Sequence, residues 1–108
     1  MRYRSGARAE LIFQSEFVRL GYDVFANVCP AGPVDLVVHN QENNTFIPCD
    51  VKSKETYVYN KDGTKGAVLG GKLGFHNGVW VIGYIHEGNE FIYPEGFWEA
   101  VNKDCDLE

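Results

Sequence analysis

The sequence predicts an α/β (α+β) domain, a mixed and mainly antiparallel sheet flanked by helices. Three observations carry this expectation. An amphipathic run from Gly6 to Leu20 stops at a glycine, Gly21. Three β-rich runs separated by turn residues follow it, between Tyr22 and Lys52. The most hydrophobic run, VWVIGYIH at 79–86, comes late and leads into an aromatic closing segment.

Each element has its own local reason. Ser5 is a candidate N-cap for the first helix. Tyr22 to Val28 reads as a strand, and Cys29-Pro30-Ala31-Gly32-Pro33 as a turn. Val34 to His39 reads as a strand, Asn40 to Thr45 as a polar loop, and Phe46 to Lys52 as a third strand. Pro48 lacks an amide hydrogen, which points to an edge or a bulge there. The run at 79–86 is expected to be central. Phe91 to Tyr93 forms a short strand, and Pro94 to Val101 a helix with Phe97 and Trp98 turned inward. Residues 53–78 differ, holding six glycines and four lysines. Asp62-Gly63 suits a hairpin turn between Tyr57-Val58-Tyr59 and Gly66-Ala67-Val68. This stretch reads as a mobile, basic Gly-rich hairpin and loop within one domain spanning 1–108.

The chain has 108 residues, 44% hydrophobic and 23% charged, which is ordinary globular composition for one domain. A domain of this size buries about two-thirds of its unfolded surface, so a homodimer is expected. No apolar run reaches the length of a membrane span, and the charged start MRYRSGARAE is not a secretory signal. Cys29, Cys49 and Cys105 read as reduced thiols, hence a cytoplasmic protein. A phage or mobile-element source would fit the size. The net charge of −5 disfavours nucleic acid if taken whole. Its distribution tells more: residues 1–86 carry a net of +1 and residues 87–108 a net of −6.

The candidate chemistry starts in the first helix. Ala7, Leu11, Phe13, Phe17, Val18 and Leu20 are assigned to one apolar arc, opposite Arg8, Ser15, Glu16 and Arg19. Glu10 and Gln14 fall inside that arc. A carboxylate turned toward a core is costly unless paired or bound to metal. The plain alternative is a glutamate that reaches solvent or caps the helix. A symmetric turn between Asn40 and Thr45 places Asp35 opposite Asp50. Directly opposed carboxylates repel, and a divalent cation between them removes that penalty. Hard oxygen ligands suit Mg²⁺, with Mn²⁺ as a substitute. Strand alternation sets Lys52 on the same face as Asp50, where an ammonium can orient or deprotonate a water. The Val51 carbonyl is available as another ligand.

GARAELIFQSEFVRLGYDV, GPVDLVV and DVKSK, with Glu10, Pro33-Val34-Asp35 and Asp50-Val51-Lys52 inside them, resemble the PD-(D/E)XK nuclease superfamily. The pattern is similar to Holliday-junction-resolvase-like or homing-endonuclease-like members. The resemblance covers roughly residues 6–54. It implies a restriction-endonuclease-like core and a metal-dependent endonuclease acting on DNA. Asp35 and Asp50 would ligate Mg²⁺, Glu10 would complete the metal shell, and Lys52 would position the attacking water. The family places a helix between its third and fourth strands, where this chain has the glycine-rich 53–78.

Lys54, Lys61, Lys65 and Lys72, interleaved with Tyr57 and Tyr59, read as a nucleic-acid-binding segment. The tyrosines could equally sit half-buried on the hairpin. Gln14 and Arg8 are assigned to the same interface, with Arg2 and Arg4 beside them. Gly66 to Lys72 has P-loop spacing, but Leu73 stands where a Ser or Thr is needed, so no nucleotide cofactor is expected. His39, His76 and His86 have no zinc spacing with the cysteines. Two other readings stay open: a non-catalytic nucleic-acid-binding module, and an RNA-processing nuclease.

Overall fold

The first helix ends where its glycine demands. In a computed structural model describing residues 2–26, 34–66 and 72–103 (2–6 as backbone only), α1 spans Arg2–Arg19. Gly21 takes φ 99°, its amide donates to the Val18 carbonyl, and the Tyr22 amide reaches back to Phe17, both at 3.0 Å. This paired closure needs a left-handed residue, which glycine adopts without penalty. At the other end the helix starts at Arg2, so Ser5 lies within it and is not its N-cap.

The buried face of α1 is a narrow line. Ala9, Phe13 and Phe17 are fully buried, each four residues from the last. Leu11, Val18 and Leu20 are 63%, 60% and 45% exposed, and Ala7 is exposed as well, so the broad arc is corrected. Leu11 and Phe13 lie about 200° apart around a helix and cannot both face one core. The larger rings win. Phe17 stacks on Phe13 at 4.3 Å between centroids and on Trp98 at 5.5 Å. Glu10 and Gln14, one step round from Ala9 and Phe13, end half-buried at the border of the packed face.

Among the described residues the sheet has six strands: β1 Asp23–Ala26, β2 Leu36–Asn40, β3 Thr45–Lys54, β4 Gly74–His76, β5 Val79–Ile85 and β6 Glu90–Ile92. The order is β1-β2-β3-β5-β4, with β6 also paired to β5. The β3–β5 pair is parallel and the rest are antiparallel. The chain is therefore α+β with a mixed six-stranded sheet, α1 lying against β1 and β3, and α2 (Phe97–Val101) against β3. The central place expected for residues 79–86 holds for β5, which lies between β3 on one side and β4 and β6 on the other.

Two expectations need correction. β3 is interior, not an edge. Pro48 is tolerated because Cys49 and Val51 turn their amides toward β2, so the Pro48 nitrogen faces the opposite side. There it lies just outside the parallel ladder, which starts at Cys49↔Trp80. Within the segment read as loop, Gly74–His76 forms β4 along β5. As far as Gly66 the chain does turn back at Asp62-Gly63 as expected, with an antiparallel bridge Tyr59↔Lys65 and the Gly66 amide donating to the Val58 carbonyl at 2.6 Å. The turn at 29–33, the second hairpin arm beyond Gly66, most of the P-loop-like run, Cys29 and Cys105 lie outside the described residues, as do the side chains of Arg2 and Arg4.

One face of the sheet holds the main core: Leu36, Val38, Ile47, Cys49, Val51, Ile82 and Tyr84 pack with α1 and α2. Cys49 is fully buried and unpaired, and burial pushes its thiol up to about 12. The short helix α2 is tied in from below. Asn40, buried, donates to the Val101 carbonyl at 2.8 Å and accepts the Glu42 amide at 3.1 Å. Asn40→Ala removes both bonds but leaves the Val101 carbonyl its second donor, Asn43 Nδ2 at 3.0 Å, so it should destabilise the fold by about 0.5–1.5 kcal/mol in denaturant unfolding. Among the described residues no helix is long and apolar enough to cross a membrane.

Candidate functional site

The turn at Asn40 to Thr45 sets the register that matters most. Asn40↔Thr45 through Leu36↔Cys49 pair as a symmetric turn requires. The ladder ends there, and Asp35, just before β2, lies beside Asp50, whose side chain is on the sheet face opposite Cys49 and Val51. The two carboxyls are near enough to share a hydrogen bond. The Asp35 amide donates to the Cys49 carbonyl at 2.9 Å, and the Val51 amide donates to Asp35 Oδ2 at 3.2 Å. The Asp35 side chain thus takes a position where a backbone carbonyl would continue the ladder. A strand residue turns its amide and carbonyl the same way, so the Val51 carbonyl faces this side too.

The electrostatics follow from crowding. Asp35 is pushed up from 3.8 to about 7. Burial contributes most, then the hydrogen bond and repulsion from Asp50, with Glu10 a smaller repulsive contribution. The Val51 amide acts in the opposite direction. Lys52 Nζ lies 3.1 Å from Asp50 Oδ2, with about half of its side chain in solvent while Asp50 keeps 17% exposed. The site is a crowded pair of acids, with Asp35 pushed toward its protonated form and an ammonium at the open side.

The structure brings Asp35, Asp50 and Lys52 together. Glu10, on α1, is felt by Asp35 electrostatically but does not close a three-carboxylate shell. Among the described residues, no group of three or more His, Cys, Asp and Glu side chains is arranged to hold a metal ion. Two carboxylates still answer one need of Mg²⁺, which keeps several waters and binds through one or two carboxylates plus substrate phosphates. Repulsion within the half-buried pair is the feature a cation relieves.

The residues assigned to nucleic acid are distributed differently from the expectation. Arg8 Nη2 lies 2.9 Å from His86 Nδ1; arginine can only donate, so Nδ1 is the acceptor. Gln14 is half-buried on α1, and Lys54 is exposed at the end of β3. Lys61 and Lys72 are exposed. Tyr57 and Tyr59 are engaged within the protein. The Tyr57 hydroxyl donates to Glu90 Oε1, the Tyr57 amide to Glu87 Oε1 at 2.9 Å, and the Tyr59 hydroxyl to Glu87 Oε2 at 3.1 Å. The bond to Glu90 is the main reason the Tyr57 hydroxyl is pushed up to about 12. Lys65 Nζ sits 3.8 Å above the Tyr57 ring centroid. The segment after β3 is therefore strapped to the turn between β5 and β6. Sequence reasoning missed Glu87 and Glu90 as its partners. The signal was EGNE, two acids bracketing a turn, within the acidic last fifth of the chain.

Glycine explains why the strap can lie so close. A Cβ at Gly88 would stand 2.1 Å from the Tyr57 hydroxyl, so no other residue fits beneath that tyrosine without a shift.

A second feature absent from the sequence reading lies beside Asp35. A cavity of about 200 Å³ is walled by Phe25, Ala26, Val34, Asp35, Leu36 and Val37. No protein-family model, no curated protein and no solved structure matches the chain.

Proposed function

We propose that the chain is a metal-dependent endonuclease that hydrolyses DNA phosphodiester bonds on a restriction-endonuclease-like core. The observation that carries the reading is the opposed Asp35–Asp50 pair with Lys52 Nζ 3.1 Å from Asp50. Asp35 and Asp50 are the residues that would hold Mg²⁺ or Mn²⁺. Such an ion lowers the pKa of bound water and neutralises charge on a phosphate. Lys52 adds a positive charge at the open side of the pair, where it orients the water and offsets the charge that develops on the phosphate. Asp35 holds a proton near neutrality in the absence of a cation, and gives it up when positive charge arrives. Glu10 is an outer carboxylate in this reading, adding negative potential that favours a cation.

The test is incubation with supercoiled plasmid, branched DNA and RNA, each with and without Mg²⁺. Nicking of DNA that needs Mg²⁺ supports the reading. Cleavage of RNA alone favours an RNA-processing enzyme, and binding with no cleavage favours a non-catalytic module.

The exposed lysines of the strap are the proposed phosphate ligands. Replacing Lys61, Lys65 and Lys72 with alanine should weaken DNA binding and flatten its salt dependence. The logarithmic slope should fall by about 0.9 for each phosphate no longer neutralised. A slope equal to that of wild type removes the lysines from the interface.

A further inference from the structure

The cavity beside Asp35 has the wrong character for a phosphate and the right one for a base. Apart from Asp35 it is walled by Phe25, Ala26, Val34, Leu36 and Val37; Phe25 and Val37 turn to the face of Asp35, while the Leu36 side chain lies in the core behind it. Asp35 also lines it, so the cavity and the carboxylate pair share a residue. Phe25 pairs across the ladder with Val37, on the sheet face that carries Asp35. Phe25 is 54% exposed although β1 packs against α1 on its other side. Exposed aromatic rings are the platforms on which unstacked bases settle.

Size favours a single base. The cavity measures about 200 Å³, and an apolar cavity of about 150 Å³ suffices to take up benzene. A base paired and stacked in a duplex cannot enter a recess in a sheet; it must first leave the stack. A base stacked on Phe25 would lie one diagonal step from Asp35 on the same sheet face, about 7–8 Å between the two residues, with its own nucleotide's phosphate toward that carboxylate.

Resting on the nuclease reading, we infer that this cavity receives one unpaired nucleobase, and that the substrate is DNA carrying an unstacked nucleotide next to the bond to be cut. Phe25 is the stacking platform and a specificity-determining residue. Asp35 links the base subsite to the reacting phosphate. The leaving nucleotide is chosen by its lack of pairing, not by its sequence.

The test uses duplexes containing 2-aminopurine, either fully paired or as a single-base bulge, with wild-type protein and Ca²⁺ in place of Mg²⁺. Wild type should bind the bulged duplex about tenfold more tightly and quench its fluorescence. Phe25→Ala should erase the preference and the quenching. Phe25→Trp should keep both, which guards against a mere folding defect. Equal affinity of wild type for the two duplexes overturns the proposal, as does a preference that survives Phe25→Ala. A change from dimer to monomer in Phe25→Ala, with the preference intact, also overturns it and assigns the ring to a second copy of this chain. Plasmid nicking by wild type in Mg²⁺ is followed in parallel. Nicking without a bulge preference sinks the base subsite alone; neither nicking nor binding sinks the nuclease reading with it.

Discussion

Lys52→Ala should slow DNA cleavage by about 10²–10⁴-fold in single-turnover nicking assays while leaving DNA binding in place. The expectation comes from where the ammonium sits. Nζ is 3.1 Å from Asp50 Oδ2, and the side chain is half in solvent, so it borders the space a phosphate and its attacking water would enter. Alanine removes that charge without touching the core, because Val51, its strand neighbour, faces the other way and is buried. A second variant separates two roles for the amine. Lys52→Arg keeps the charge, but guanidinium does not give up a proton in proteins. Recovery of rate by arginine assigns electrostatic stabilisation to this position; a slow rate in both variants assigns proton handling. Cleavage at the wild-type rate by Lys52→Ala removes Lys52 from the chemistry.

How much of this was legible in the sequence depends on the range of each interaction. The meeting of Asp35 and Asp50 was readable because a short symmetric turn fixes antiparallel register residue by residue, and the ladder from Asn40↔Thr45 to Leu36↔Cys49 keeps it. The Gly21 stop was readable for the same reason: the closure is local, with both bonds made inside six residues. The burial of α1 was not. Periodicity marks which residues are apolar, but Leu11 and Phe13 face different ways, and only the partner surface of Phe97 and Trp98 decides between them. That partner lies some eighty residues away in the chain. Pro48 misled for a related reason. Its missing amide matters only on the side where a neighbour pairs, and the sequence does not say that β5 starts its parallel ladder one residue later. The tyrosines of the strap read equally as base platforms or as half-buried hairpin residues because their acidic partners, Glu87 and Glu90, stand about thirty residues on. Glycine-rich composition suggested mobility there, whereas Gly88 permits the close approach of Tyr57.

The second large effect concerns protons and cations at one pair of acids. Asp35 holds its proton up to about 7 in the folded protein and near 3.8 when unfolded. Between those values the folded state binds more protons than the unfolded one, so stability falls as pH rises. The contribution is complete below about 3.8 and lost once pH passes about 7. A divalent cation acts in the opposite sense, since it binds the deprotonated pair and relieves the repulsion that the proton otherwise removes. Mg²⁺ or Ca²⁺ should therefore leave the melting temperature unchanged at pH 5 and raise it at pH 8. At a hundredfold excess over Kd the rise should be on the order of 10 °C for a domain of this length. Asp50→Asn removes one of the opposed charges. Asp35 then keeps burial and the weaker Glu10 repulsion as reasons to hold its proton, against the Val51 amide. The decline of stability with pH should become shallower, and the cation-induced rise should disappear. Thermal unfolding of both proteins at pH 5 and pH 8, with and without Mg²⁺, reads all four expectations together. A rise of equal size in Asp50→Asn would mean that the cation binds elsewhere. The absence of any rise in wild type at pH 8 would mean that the crowded acids serve the fold through their shared proton alone.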